Sequence, residues 1–172
     1  MNVVVMGVCG TGKSSVGALL AKRLGATFLE GDNLHSPENV EAMASGKPLT
    51  DAMREPWLQA ITDEIHRHSA AGQATVVTCS ALKKAYRDKL RAGSDDVVFV
   101  YLSGERSAIL SRMSARPGHF MPVSLLDSQL AILEVPAKGE RAIEVDIDQP
   151  LEAVVEEAVR GVTADAATHI PP

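Results

Sequence analysis

Gly7-Val8-Cys9-Gly10-Thr11-Gly12-Lys13-Ser14 is the stretch of this sequence whose residue types and spacing most directly imply chemistry. Glycines spaced in this way before Lys-Ser allow backbone N–H groups to turn inward around a phosphate with no Cβ in the way. The apolar run Val3-Val4-Val5-Met6 precedes the loop, and a helical period at Val16, Leu19, Leu20 and Leu24 follows it. The positive end of a helix dipole therefore faces the same anion. In this arrangement Lys13 reaches the β- and γ-phosphates of a triphosphate, and the Ser14 hydroxyl ligates Mg²⁺. The expected cradle is Gly7, Val8, Cys9, Gly10, Thr11, Gly12, Lys13, Ser14 and Ser15. The chemistry on offer is binding of a nucleoside triphosphate and transfer of its phosphoryl group.

Many loops of this type work with an Asp at the end of a buried strand that helps to hold the metal. Here the apolar run Ala74–Thr78 ends in Cys79-Ser80-Ala81, with no carboxylate. Asp32, just past the run Thr27–Glu30, is the candidate instead. It could hold a water of the Mg²⁺ shell, accept the proton of an attacking hydroxyl, or both. Gly31-Asp32-Asn33 is also ordinary turn composition. Arg112 and Arg116 are four apart and share a helix face, and the break at Pro117-Gly118 suggests a mobile lid. Such a lid would bring guanidinium groups onto the transferring phosphoryl. His35, Arg54, Lys83 and Lys84 follow the second and third runs and point to a small, anionic, hydroxyl-bearing acceptor. Arg87 reads as a solvated helix-surface charge, and Trp57 as core.

The elements that must position these groups alternate. Strands are expected at Val3–Met6, Thr27–Glu30, Ala74–Thr78, Val97–Leu102 and Ala142–Val145. Helices are expected at Lys13–Leu24, Pro37–Ala44, Asp51–Ala70, Leu82–Leu90, Glu105–Ala115, Pro122–Leu133 and Leu151–Val162. Right-handed crossovers then give an α/β fold with a central parallel sheet of five strands, covered on both faces as a three-layer α/β/α sandwich. Ligands of such sheets bind outside the carboxyl ends of the strands. The 172 residues suit a single domain over 1–162, with a lid over about 112–122 and a flexible tail over 163–172. With aromatics at only 3%, aliphatic residues must build the core.

A net charge of −5 argues against nucleic acid as the main partner, although a local cationic cluster can still bind an anion. No apolar run is long enough to span a membrane, and Met1–Met6 leads straight into a strand. Cys9 and Cys79 have neither metal-site nor disulfide spacing, and two free thiols suit a reducing cytoplasm.

Several segments together carry a family resemblance: Met6 to Ser14, Gly31-Asp32-Asn33-Leu34-His35, Met43 to Asp51 with Arg54 and Trp57, and Cys79-Ser80-Ala81-Leu82-Lys83. Arg112, Arg116, Gly118-His119-Phe120 and Asp146-Ile147-Asp148-Gln149-Pro150 complete it. The chain resembles bacterial gluconokinases of the small P-loop type, relatives of shikimate kinase and the nucleoside monophosphate kinases, over nearly its whole length. That resemblance implies a P-loop kinase fold with a small helical lid, and a homodimer. It also implies ATP- and Mg²⁺-dependent phosphorylation of D-gluconate to 6-phospho-D-gluconate.

Carried over to this sequence, Lys13, Asp32, Arg112 and Arg116 are catalytic, and Asp32, His35, Arg54, Lys83 and His119 contact gluconate. Gln149 and Pro150 lie near the adenine, and Ser14 holds Mg²⁺ with Asp32 acting through water. Cys9 stands where many relatives carry Ser, and Asn33 where an acidic residue is common. A shikimate kinase would carry an acidic residue in place of Leu34 and a Gly-rich turn in place of Cys79 to Lys83. A nucleotide sensor without catalysis has no need of Lys13, Ser14, Asp32 and two lid arginines together.

Overall fold

The computed structural model describes residues 1–115 and 122–170. Five strands, β1 (Asn2–Met6), β2 (Thr27–Glu30), β3 (Thr75–Thr78), β4 (Val97–Ser103) and β5 (Ala142–Asp146), form one parallel sheet in the order β2-β3-β1-β4-β5. The central strand β1 is buried along its whole length, which explains its unbroken apolar run: helices cover both of its faces.

The helices among the described residues are α1 (Lys13–Leu24), α2 (Pro37–Ala44), α3 (Asp51–Ala70), α4 (Lys84–Arg91), α5 (Arg106–Ser114), α6 (Val123–Ile132) and α7 (Leu151–Thr168). Their starts follow the side-chain chemistry of the sequence. The Ser36 hydroxyl accepts from the Asn39 N–H ahead of Pro37, and the Thr50 hydroxyl accepts from the Met53 N–H. From β1 the chain crosses through α1 to the far edge at β2, then returns through α3 to β3 and onward through α4 to β4. With every crossover right-handed, this reversal puts α1 on one face and α3 and α4 on the other. Helix α7 packs back against α1, and α4 against α3. The sheet is thus the middle of three layers. The switch point lies between β1 and β3, where the loops after the two strands depart to opposite faces.

Three expectations are corrected. The tail expected to be flexible from residue 163 continues α7 to Thr168. Alanines at 164, 166 and 167 favour helix, and Asp165 is anchored by Arg141 at 2.8 Å. Helix α4 starts at Lys84 rather than Leu82, because Ala81 turns into the left-handed region at φ 46° and Leu82 is spent in the core. Arg87, expected on a solvated surface, is fully buried. Its Nε and Nη2 donate to the Glu140 carboxylate at 2.8 and 3.1 Å, and its Nη1 donates to the carbonyls of Ala81 and Leu82 at 2.9 and 3.3 Å. The buried guanidinium therefore braces the strained turn after β3 from beneath. Among the described residues, no helix is long and apolar enough to cross a membrane.

Candidate active site

The loop after β1 and the first turn of α1 form one end of a cavity at the carboxyl edge of the sheet. Gly12 caps α1 at φ 89°, where a Cβ would have open space but a strained backbone, so conformation rather than room demands glycine. The Thr11 hydroxyl donates to the Val8 carbonyl at 2.9 Å. Lys13 Nζ lies over the loop, donating to the carbonyls of Gly7 at 3.1 Å and Val8 at 3.0 Å. Burial pushes the Lys13 ammonium below its ordinary range, and the negative field of Asp32 works against that shift. Burial also raises the Cys9 thiol and pushes Cys79 up to about 12, so neither is a thiolate near neutrality.

Arg112, in the last turn of α5, lines the same cavity and donates to the carbonyl of Ile147 and, at 3.0 Å, to that of Gln149. It is thereby joined to the turn between β5 and α7. Gln149 itself turns away, donating to the Asp146 carbonyl and to Glu157 at 2.8 Å each, while Pro150 opens α7. Arg116 and His119 lie outside the described residues.

The opposite end of the cavity begins at the short 3-10 turn Gly31–Leu34. A Cβ on Gly31 would come within 1.9 Å of the Thr78 carbonyl oxygen, so only glycine lets this turn lie against β3. The Gly31 N–H donates to the Thr78 hydroxyl at 3.0 Å, and Trp57 Nε1 donates to the Gly31 carbonyl at 2.8 Å. Clamped in this way, the turn holds Asp32 exposed at the cavity rim and delivers His35 onto Trp57, ring centroids 4.0 Å apart and 16° from parallel. Trp57 is buried core, as expected, and is a stacking platform as well.

The Asn39 amide NH₂ donates to the Met53 carbonyl at 2.8 Å and sits 3.3 Å from His35 Nδ1. A donor at that position makes Nδ1 the acceptor and leaves the ring proton on Nε2. Burial lowers the His35 pKa, with Asp32 opposing and the Arg54 cation adding to the shift, which favours the neutral ring.

Arg54 is only 6% exposed. Its Nη1 donates to the Leu49 carbonyl at 2.7 Å and to the Tyr86 hydroxyl at 3.4 Å. Tyr86 in turn donates to Asp51, whose carboxylate oxygens take Lys83 Nζ at 3.1 and 3.2 Å. Lys83, expected at the site, is thus placed behind the Arg54–Tyr86–Asp51 chain and does not line the cavity. The cause is local: Lys83 is the residue before α4, beside the exposed Asp51 at the start of α3.

The cavity brings together Gly10, Gly12, Lys13, Ser14, Asp32, His35, Arg54 and Arg112. It also includes Glu30 and Gln129, which the sequence did not single out. Glu30 ends β2 and accepts a hydrogen bond from the Thr78 hydroxyl; its place two residues before Asp32 was the available signal. Gln129 reaches the Cys9 N–H from 120 residues away, and no local pattern announces it. No group of three His, Cys, Asp or Glu poised to hold a metal occurs among the described residues. The Ser14 hydroxyl with the Glu30 and Asp32 carboxylates is nevertheless a hard-oxygen set suited to Mg²⁺, which keeps most of its water and borrows ligands from phosphates.

The chain is similar to known proteins over most of its length. The family described as shikimate kinase matches residues 9–130. The gluconokinase of Gluconobacter oxydans is 48% identical over 163 residues, covering 95% of this chain and 92% of that protein. The crystal structure of a gluconokinase from Sinorhizobium meliloti superposes with a TM-score of 0.90 at 48% identity, covering 97% of this chain and 94% of the other. A shikimate kinase from Aquifex aeolicus shares the fold at a TM-score of 0.62 and 18% identity, with 98% and 100% of the two chains covered.

Proposed function

The chain belongs to the shikimate kinase family, in which it groups with the gluconokinases, and on that premise we propose that it transfers the γ-phosphoryl group of ATP to the 6-hydroxyl of D-gluconate. The observation that carries the reading is the shared cavity. One end is a phosphate cradle, and the other presents a rim carboxylate and a nearly buried arginine, as a small anionic polyol requires.

In the proposed reaction the gluconate oxygen attacks the γ-phosphorus while the bond from that phosphorus to the bridging oxygen of ADP breaks. Asp32 accepts the hydroxyl proton, and Lys13 leaves the loop carbonyls for the phosphate oxygens. Mg²⁺ held by Ser14, and through water by Asp32 or Glu30, would neutralise charge on the phosphates. Arg54 meets the gluconate carboxylate, and neutral His35 offers Nε2–H to a hydroxyl. Arg112, tied to the turn bearing Gln149 and Pro150, borders the nucleotide end, and Arg116 and His119 complete the lid. The reading includes a cytoplasmic homodimer with no nucleic-acid partner.

A coupled assay of ATP consumption with gluconate, other sugar acids, shikimate and nucleoside monophosphates tests the proposal. Gluconate is expected to be the best acceptor, and Asp32→Asn to lower kcat by roughly 10²–10⁴-fold with a far smaller change in KM. Equal use of all acceptors, or preference for shikimate, rejects the assignment. ATP binding with no turnover on any acceptor would instead mark a nucleotide sensor.

A further inference from the structure

Gln129 comes from α6 and is 9% exposed, yet its side chain borders both the phosphate loop and the acceptor end of the cavity. Its Oε1 accepts the Cys9 N–H at 2.7 Å, across 120 residues of sequence. This bond decides the orientation of the amide. A backbone N–H can only donate, so the carbonyl end must face the loop, and Nε2 remains as a pair of donors. Among the described residues Nε2 has no hydrogen-bond partner, and it is not among the side-chain nitrogens sealed away from solvent. Gln129 lines the cavity, so this donor pair is available to a ligand bound there. The cavity lining that Gln129 shares includes the apolar side chains of Leu125, Met43 and Leu49. A donor held in a largely apolar wall is costly to leave unmatched, so a ligand acceptor atom at that point gains more than it would in water.

We propose that Gln129 is a specificity-determining residue of the acceptor site. Nε2 donates to one hydroxyl oxygen of the sugar acid while Oε1 holds the phosphate loop at Cys9. A neutral donor in an apolar wall suits a hydroxyl, whereas phosphate oxygens have the cations Lys13 and Arg112 at the other end. A single side-chain amide then sets the position of the acceptor relative to the loop that carries the donor phosphates. The inference rests on the gluconokinase reading and adds to it the residue that reads one hydroxyl.

The test pairs variants with the four analogues of gluconate that lack one of the 2-, 3-, 4- or 5-hydroxyls. In the wild type, one analogue should lose about tenfold or more in kcat/KM. In Gln129→Met, gluconate itself should fall by a similar factor, and that same analogue should carry no further penalty. The penalties for the other three should persist. Gln129→Glu keeps an oxygen for the Cys9 N–H but loses the donor, so it should lose gluconate while its KM for ATP stays within about threefold. Melting curves of both variants show whether each is folded. Equal discrimination of all four analogues by the wild type and Gln129→Met overturns the proposal, as does a loss confined to the KM for ATP. Failure of the wild type to use gluconate rejects the gluconokinase reading instead, and the analogue series is then built on whichever acceptor the panel selects.

Discussion

The two ends of the cavity are built by different means. The phosphate end is a run of consecutive residues, Gly7 to Ser15, set between a buried strand and a helix, and its shape comes from backbone conformation such as the φ of 89° at Gly12. The acceptor end is assembled from side chains far apart in sequence: Asp32 and His35 on a turn, Arg54 and Trp57 on α3, Tyr86 behind them on α4, and Gln129 on α6. A local motif can be altered one residue at a time with a local result. A wall of distant side chains fails through its supports.

The sharpest separation is expected at Lys13. Lys13→Met removes the one lysine that overlies the loop carbonyls and leaves every acceptor contact in place. Steady-state kinetics should show kcat down by about 10²–10³-fold, as for loss of a single charge-stabilising donor. KM for gluconate should stay within about threefold. A rise in that KM as large as the fall in kcat would mean that the two ends are not separable.

The next largest effect concerns a support rather than a contact. Glu140 pairs with Arg87, which carries the strained turn after β3. The Arg87 hydrogen bonds lower the Glu140 pKa from 4.5 to about 2, and its side chain is only 7% exposed. At about 1.4 kcal/mol per pKa unit, that shift corresponds to stability on the order of 3 kcal/mol. Because the folded pKa is the depressed one, this stability is fully present above the unfolded value near 4.5 and is lost as pH falls through about 2. Urea titrations of wild type and Glu140→Gln should show a gap at pH 7 that shrinks steadily below pH 4.5. A gap independent of pH would remove the charged pair as the brace.

Arg54 should come third. Arg54→Met is expected to raise KM for gluconate by roughly 10–100-fold, the scale of a lost charged hydrogen bond, with KM for ATP little changed. Tyr86→Phe should give a smaller rise of the same kind, since Arg54 keeps its bond to the Leu49 carbonyl. Equal rises for ATP and gluconate would place Arg54 at the boundary between the two ends rather than on the acceptor wall.

Legibility in the sequence follows the same division. The parallel five-stranded sheet needed only the alternation of elements and right-handed crossovers, although its strand order did not follow from them, and the phosphate loop is a contiguous pattern whose context confirms it. Asp32 could be placed because it follows a strand that ends on the same rim. Arg87 was misread because its helix looks basic and solvated: only the arrival of Glu140, 53 residues on, makes burial of the charge favourable. Gln129 had no signal, because an amide on an apolar helix becomes meaningful only when the fold brings Cys9 to it. The overlong α7 was hidden by reading Ala and Thr near a terminus as fraying, when Asp165 was tied to Arg141.

The smallest expected effect is the most informative about where the acceptor wall ends. The resemblance to gluconokinases implies that Lys83 touches gluconate, but the structure ties its ammonium to both oxygens of Asp51, behind Tyr86 and Arg54. An exposed pair of this kind contributes little and is easily exchanged for water. If the wall stops at Arg54, Lys83→Met should leave KM for gluconate within about twofold, and added salt should affect the variant and the wild type alike. A tenfold rise in KM abolished when Asp51→Asn is added would trace to the unpaired Asp51 charge, whereas a rise that persists when Asp51→Asn is added would show that Lys83 leaves Asp51 for the incoming carboxylate. The ion pair would then be the resting position of a substrate-binding cation, and the acceptor end, unlike the preformed phosphate loop, would be completed by its ligand.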